Sequence, residues 1–256
     1  MNIALEVSGL KKSFGGVAAV KGIDFSVAAG EAVALIGPNG AGKTTTFNLI
    51  NGQIKPDAGR VNLHGADITG KAPDQLFHLG VARTFQTTAT FASMTVGENV
   101  QMALMSYERR SRSAIGLVTR ECVRTTWGLL TDVGLAEQGR RVASELAYGD
   151  LKRLELAMAL ANKPRLLLMD EPTAGMAPAE RELLMQLAVK TCRDRNLALL
   201  FTEHDMDVVF GFADRVVVMN RGRLIAQGSP DEVRANEEVR AVYLGDATLI
   251  KGAAHA

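Results

Sequence analysis

Val33-Ala34-Leu35-Ile36-Gly37-Pro38-Asn39-Gly40-Ala41-Gly42-Lys43-Thr44-Thr45 is the stretch of this 256-residue chain that decides its fold. The first four residues are apolar and read as a buried strand. Gly37 to Gly42 read as a loop, and Lys43 opens a helix running to Asn51. Strand, loop and helix together fit G-x-x-x-x-G-K-[ST], a loop whose backbone N–H groups curl around phosphate oxygens. Glycines are expected because a side chain would block that approach, and the helix start adds partial positive charge. In this reading Lys43 neutralises β- and γ-phosphates, Thr44 puts its hydroxyl on Mg²⁺ and Thr45 reaches the α-phosphate. A glycine-rich turn with a chance lysine is the competing reading, and the flanking strand and helix count against it.

A second apolar run, Leu166-Leu167-Leu168-Met169, ends in Asp170 and Glu171. Buried parallel strands have this composition, and ligands sit at their carboxyl ends. Asp170 is the expected holder of the Mg²⁺ hydration shell. Glu171, one residue on, points elsewhere and is the candidate base that polarises an attacking water. The bland alternative is an acidic strand end capping the turn at Pro172. A third apolar run, Leu199-Leu200-Phe201, precedes His204, the candidate hydrogen-bond partner of the γ-phosphate or the attacking water. His64, His78 and His255 have no such context.

Outside these motifs the chain is nearly half apolar and carries a formal charge of +1. Without a long basic run, nucleic-acid binding is not expected. Cys122 and Cys192 lack metal-type spacing and read as reduced thiols of a cytoplasmic protein. No apolar stretch approaches the roughly 18 residues of a spanning helix, and Met1 to Glu6 lack a signal-peptide layout. Any work at a membrane is therefore expected from the cytoplasmic side, through a partner. Ala4 to Val7, Asp24 to Val27 and Val61 to Leu63 read as short strands broken by Gly9, Gly15-Gly16, Gly22 and Gly30. Arg165 to Met169, Ala198 to Thr202 and Arg215 to Met219 read as strands separated by helices, a parallel βαβ layer. Leu151, Leu154, Met158 and Ala161 share a helical face that ends at Lys163-Pro164. Ser106 to Ser113 is a polar loop candidate, and its Arg109, Arg110 and Arg112 are better read as solvated than as lipid contacts.

In order and spacing these motifs resemble the ATP-binding subunit of ABC transporters, over nearly the whole chain. The resemblance implies an α/β P-loop NTPase with an N-terminal antiparallel β layer and an inserted helical subdomain. Residues 1–86 and 163–256 would form the core, and about 87–162 the helical subdomain. Phe14 falls where the family stacks an aromatic on adenine. Gln86, in Arg83-Thr84-Phe85-Gln86, matches the loop that links the γ-phosphate and Mg²⁺ to the transmembrane partner. Leu146-Ala147-Tyr148-Gly149-Asp150 matches the signature turn, so Ala147, Tyr148 and Gly149 would face ATP bound by a second subunit. Gly-Val-Ala-Arg-Thr-Phe-Gln (80–86), Met-Thr-Val-Gly-Glu-Asn-Val (94–100), Glu-His-Asp-Met (203–206) and Ala241-Val242-Tyr243-Leu244-Gly245 resemble the longer ATPase of the branched-chain amino acid importer. Similar ATPases serve importers of urea, amides or other amino acids, and a lipopolysaccharide-type exporter is the nearest alternative. The resemblance implies ATP and Mg²⁺ as cofactors and a peripheral place on the cytoplasmic face of a prokaryotic plasma (inner) membrane. Transmembrane permease subunits, a second non-identical ABC ATPase and, indirectly, a periplasmic or extracellular solute-binding protein are the implied partners.

The chain departs from the family's Leu-Ser-Gly-Gly-Gln at three places. Ala147 replaces the serine, Tyr148 the first glycine and Asp150 the glutamine, while Ala177 replaces an aspartate after Glu171. Losing one charge-assisted hydrogen bond costs about 1.5–3 kcal/mol. The chain's own half-site keeps its residues and its contribution across an interface is weakened, which favours a heterodimer over a homodimer. The opposing expectation is that backbone N–H groups still bind phosphate without asymmetry. A DNA-repair or ribosome-associated ATPase would show long coiled coils or a tandem domain, and a non-hydrolysing regulator has no need of Glu171 and His204. A GTPase would show Asn-Lys-x-Asp, which is absent. Met94, Met102 and Met105 are candidates to line a groove near Gln86, with plain core as the alternative.

Overall fold

Half-buried alternation along Ile3–Phe14 (β1) and Val17–Ala28 (β2) makes an antiparallel hairpin turning at Gly15 and Gly16. The computed structural model describes residues 2–84, 90–107 and 119–243. Each strand has 12 residues, longer than the short segments expected from the glycine pattern. The glycines do not break the strands because the ladder absorbs Gly9 and Gly22 at bulges, Gly22 standing unpaired between Ile23 and Lys21. Val7 pairs with Phe25 and Leu10 with Ile23, and between them Gly9 adopts a left-handed φ of 57° while its N–H donates to Asp24 Oδ1 at 2.7 Å.

The chain next enters a second sheet as β3 (Ala32–Ile36), forms α1 (Lys43–Ile50), and returns as β4 (Ala58–Leu63) and β5 (Ala66–Asp67). The first sheet has the order β2-β1-β4-β5, antiparallel throughout. Then follow α2 (Pro73–Leu79), β6 (Val81–Thr84), α3 (Val96–Tyr107), α4 (Arg120–Asp132) and α5 (Tyr148–Leu160). The remainder is β7 (Leu166–Asp170), α6 (Pro178–Asp194), β8 (Ala198–Thr202), α7 (Met206–Phe212), β9 (Arg215–Asn220), β10 (Arg223–Gly228), α8 (Pro230–Ala235) and α9 (Glu237–Val242). The second sheet runs β10-β9-β3-β8-β7-β6, with every pair parallel except β9–β10. Short β6 and half-buried β10 were not legible as strands, since neither has a continuous apolar run. The four interior strands do, and each stands within one residue of the position its sequence indicates.

Strand periodicity divides the interior into two cores. Val33, Leu35, Leu168, Leu200 and Val217 face the first sheet and α1, where they meet Leu5, Ile23, Phe47 and Ile50. Ala34, Ile36, Met169, Phe201 and Val218 face the other way, toward Leu154, Leu160 and Met185. Leu154 and Ala161 are fully buried on the expected face of α5, with Leu151 and Met158 packed partly against the same core. The helix is enclosed further because it touches α3, α4, α6 and β6. Among the described residues of 87–162 there are three α-helices, two 3₁₀ turns and an isolated bridge between Thr95 and Val142. No helix among the described residues is long and apolar enough to cross a membrane. Neither cysteine is in a disulfide, and burial pushes the Cys192 thiol up to about 12.

Phe201→Ala empties a fully buried position and is expected to lower the unfolding free energy by about 3–5 kcal/mol. Val17→Ala, at a site 71% exposed, should change it by less than about 0.5 kcal/mol. Equilibrium urea denaturation followed by far-UV circular dichroism checks both.

Candidate functional site

The phosphate loop leaves the buried end of β3, and its glycines are held by more than room for a ligand. A Cβ on Gly37, whose φ is 155°, would lie 2.2 Å from the Met219 carbonyl oxygen. A Cβ on Gly42 (φ 105°) would lie 2.6 Å from the Ala19 carbonyl oxygen. These two glycines are therefore required by β9 and β2, which close on the loop from behind. A Cβ on Gly40 would meet nothing within 4 Å, and Asn39 and Gly40 are exposed while Ala41 is buried. Lys43 is buried, and its Nζ donates to the Gly37 carbonyl at 2.6 Å and the Pro38 carbonyl at 3.2 Å. Burial holds its pKa below the usual lysine value, opposed by the negative charges of Glu171 and Asp170. Thr44 is exposed and Thr45 half-buried on the first turn of α1. Thr46, which the motif does not assign, is buried and donates to the Gly42 carbonyl at 2.9 Å.

Beside the loop, the ends of β7 and β8 are in register, Asp170 opposite Thr202. The Thr202 hydroxyl donates to Asp170 Oδ1 at 2.7 Å. Asp170 Oδ2 accepts from Arg83 Nη2 at 2.9 Å, and Arg83 Nη1 also donates to Asn48 Oδ1 at 2.7 Å and Gln53 Oε1 at 3.2 Å. Glu171 turns away from the strand with a φ of 47°, its N–H donating to the Thr202 carbonyl and hydroxyl, each at 3.1 Å. That turn brings Glu171 Oε1 to 2.8 Å from His204 Nε2. Glu203 lies beneath them, where its carboxylate accepts from the Thr173 N–H at 2.8 Å and the Thr173 hydroxyl at 2.7 Å. Burial raises the pKa of Glu203, and the bonds from Thr173 and His204 oppose that shift.

Arg83, Thr202, Thr173 and Glu203 are site residues that the motif reading missed. A signal for one of them was present: a glutamate directly after an apolar strand needs buried partners. Phe14 stands at the turn end of the hairpin, paired with Val17 and 48% exposed, with Lys12 Nζ 5.6 Å from its ring centroid. The same β2 segment brings Ala19 against Gly42, so the hairpin end flanks the phosphate loop. Gln86, Arg109, Arg110, Arg112 and the Leu244-Gly245 ending lie outside the described residues.

At the start of α5, Ala147 is the N-cap and offers no side-chain cap. The Tyr148 hydroxyl donates to the Ala174 carbonyl of the same chain at 3.3 Å, and Lys152 Nζ sits 5.5 Å from its ring centroid. Gly149 is buried against α6, where a Cβ would come within 2.8 Å of Glu180 Oε1. Asp150 accepts from Gln138 at 2.8 Å and pairs with Arg153. Ala177 is likewise an N-cap without a side-chain oxygen, that of α6. Two of the four departures from the resembled pattern thus fall on helix caps. A groove of about 530 Å³ lies nearby, lined by Phe77, Val81, Arg83, Phe91, Met102 and Met158 among others, but not by Met94 or Met105.

Ala147→Ser and Ala177→Asp each restore a capping oxygen and are expected to raise stability by roughly 0.5–2 kcal/mol, read from the urea midpoint at unchanged m-value.

Comparison with known proteins places this geometry. The ABC transporter family profile matches residues 20–174, and a profile described as branched-chain amino acid ATP-binding cassette transporter matches residues 223–248. The chain is 40% identical over 253 residues to the high-affinity branched-chain amino acid transport ATP-binding protein LivG of Salmonella typhimurium, covering 95% of this chain and 98% of that one. It is 39% identical over 250 residues to BraF of Pseudomonas aeruginosa, a protein of the same description, with the same coverage. Among solved structures, the ADP conformation of MJ1267, an ATP-binding cassette of an ABC transporter, superposes with a TM-score of 0.85 at 31% identity. That match covers 96% of this chain and 100% of that one. The cbiO1 protein of Clostridium perfringens, part of an ABC transporter complex, gives 0.82 at 29% identity over the full length of both. Sharing 40% of its residues with such subunits over nearly its whole length, and folding as their solved counterparts do, the chain belongs to the ABC transporter family as one of its nucleotide-binding, ATP-hydrolysing subunits.

Proposed function

We propose that this chain hydrolyses Mg·ATP to power the import of branched-chain amino acids, as one of two unlike ATPase subunits on a transmembrane permease. The observation that carries hydrolysis, beyond binding, is the 2.8 Å contact between Glu171 and His204 beside Lys43. A carboxylate oriented by an imidazole at the lip of a phosphate site is suited to accept a proton from water. The names of the relatives and the matched C-terminal profile support the solute class.

In this reading Phe14 stacks on adenine, and the backbone of Gly37, Pro38, Asn39, Gly40, Ala41 and Gly42 wraps the phosphates. Lys43 neutralises the β- and γ-phosphates and Thr45 reaches the α-phosphate. The residues fit a magnesium ion: Thr44 offers an exposed hydroxyl, Asp170 a carboxylate and Gln86 an amide oxygen, the hard oxygen donors such an ion takes together with substrate phosphates. Among the described residues no group of three or more His, Cys, Asp or Glu gathers to hold a metal alone. When bound, the ion supplies neutralisation of phosphate charge. Glu171 accepts the proton of the attacking water, and His204 orients Glu171 and reaches the γ-phosphate.

Ala147, Tyr148 and Gly149 face ATP held by the second ATPase. Ala147 lacks the hydroxyl, and Tyr148 is engaged with its own chain at Ala174. The weakened signature is then paired with an intact phosphate site on the same chain, an arrangement suited to a heterodimer with one strong composite site. The groove lined by Phe77, Phe91 and Met102 is the proposed seat of the permease. Attachment is peripheral, on the cytoplasmic face of the prokaryotic inner membrane, and the periplasmic or extracellular solute-binding protein is reached only through the permease.

In cells deleted for this gene, uptake of labelled leucine should fall, return with the wild-type gene and stay absent with Glu171→Gln. On purified protein that variant is expected to lose about 10²- to 10⁴-fold in kcat and to keep its ATP affinity. Unchanged leucine uptake throughout would reject the solute class and leave the ATPase assignment standing. In size-exclusion chromatography with light scattering, Glu171→Gln with Mg·ATP should stay monomeric alone and dimerise when the second ATPase is added. A stable ATP-dependent homodimer would refute the asymmetric assembly.

A further inference from the structure

Glu203 has no role in the reading above, yet it is 4% exposed and carries a carboxylate at the end of a strand of five buried residues. A buried carboxylate is costly unless its oxygens are bonded, and here they are. Oε1 accepts from the Thr173 N–H at 2.8 Å and the Thr173 hydroxyl at 2.7 Å. Oε2 accepts from the His204 N–H at 3.2 Å. Thr173 is the second residue after Glu171, is 3% exposed, and leads the loop that turns the chain away from β7. His204 is the residue after Glu203 itself. One side chain therefore grips both segments that present the Glu171–His204 pair. It does so from below, because the side chains of Glu171 and His204 are 25% and 50% exposed.

We propose that Glu203 is a positioning residue for ATP hydrolysis: its carboxylate clamps the loop after Glu171 to the backbone of His204 and fixes the contact between those two side chains. The proposal rests on the roles given to Glu171 and His204. The clamp has two halves of unequal strength. The Thr173 half uses two short bonds to one oxygen, and the His204 half one longer bond to the other. Glutamine at this position keeps an oxygen for Thr173 but turns an amide N–H toward the N–H of His204, so it preserves one half and repels the other. Alanine removes both. A displacement of about 1 Å between reacting groups can cost on the order of 100-fold in rate without loss of substrate binding.

The test uses the full chain assembled with its permease and second ATPase subunit, with kcat and KM for Mg·ATP measured for each variant and ADP affinity by calorimetry. Glu203→Ala should lower kcat by about 10- to 100-fold, with KM and ADP affinity unchanged. Glu203→Gln and Thr173→Val, which removes only the hydroxyl, should give intermediate losses of kcat. Wild-type kcat in Glu203→Ala overturns the clamp, as does a loss of ADP affinity that matches the loss of kcat. If Glu203→Ala does not fold, Glu203→Gln and Thr173→Val decide by the same split. Glu171→Gln and His204→Ala run alongside. If these leave kcat intact, the underlying assignment fails; if they lower it and the Glu203 variants do not, only the clamp fails.

Discussion

The Thr202 hydroxyl stands between the two acidic residues at the end of the neighbouring strand. It donates to Asp170 at 2.7 Å and accepts the N–H of Glu171 at 3.1 Å. Parallel register puts it there, since Asp170 and Thr202 are paired on β7 and β8. The bond matters because Glu171 occupies the left-handed region, a conformation that costs a non-glycine residue about 1–3 kcal/mol unless its surroundings over-determine it. Two bonds from its N–H to Thr202 do so. With that turn fixed, consecutive carboxylates diverge: Asp170 points to Arg83 and Glu171 to His204. Glu203, the residue after Thr202, extends the same stitching to Thr173 in the loop beyond β7.

The departures from the family signature acquire a structural meaning in this frame. Tyr148 does not simply crowd a glycine site. It reaches the Ala174 carbonyl, so the signature turn leans on the loop that follows this chain's own Glu171. Behind it, Lys152 and Glu155 form an ion pair at 3.0 Å with both side chains less than a tenth exposed, and Glu155 also lines the groove proposed for the permease. Burying such a pair adds little net stability, because desolvation offsets attraction. Ala147 and Ala177 sit at caps, so the losses there fall on helix stability as well as on any ligand contact.

The candidate site was legible in the sequence because its residues stand in short contiguous motifs. Leu166 to Met169 are apolar throughout, the composition of a strand buried on both faces, and Asp170-Glu171-Pro172 end the run after a strand's length. The phosphate loop is similarly local. Strand lengths in the first sheet were not legible, since a glycine such as Gly9 reads as a break until its partner strand supplies a bulge around Asp24. Glu203 escaped for a related reason: a charge next to an apolar run signals only that a partner exists, and Thr173 lies 30 residues away. Arg83 stands in a strand with no such run, and its partner Asp170 lies 87 residues away.

The sequence by itself therefore determined the parallel core, the phosphate loop and the placing of Lys43, Asp170, Glu171 and His204 at the ends of that loop and of apolar runs. Each follows from residue type and spacing within about ten positions, the range over which strand and helix periodicities act. Tertiary structure alone decided why Gly37 and Gly42 must be glycine, how Thr202 splits the two carboxylates, and what holds Glu203. Those outcomes depend on register between strands and on carbonyls of β2 and β9 that approach the loop from distant parts of the chain.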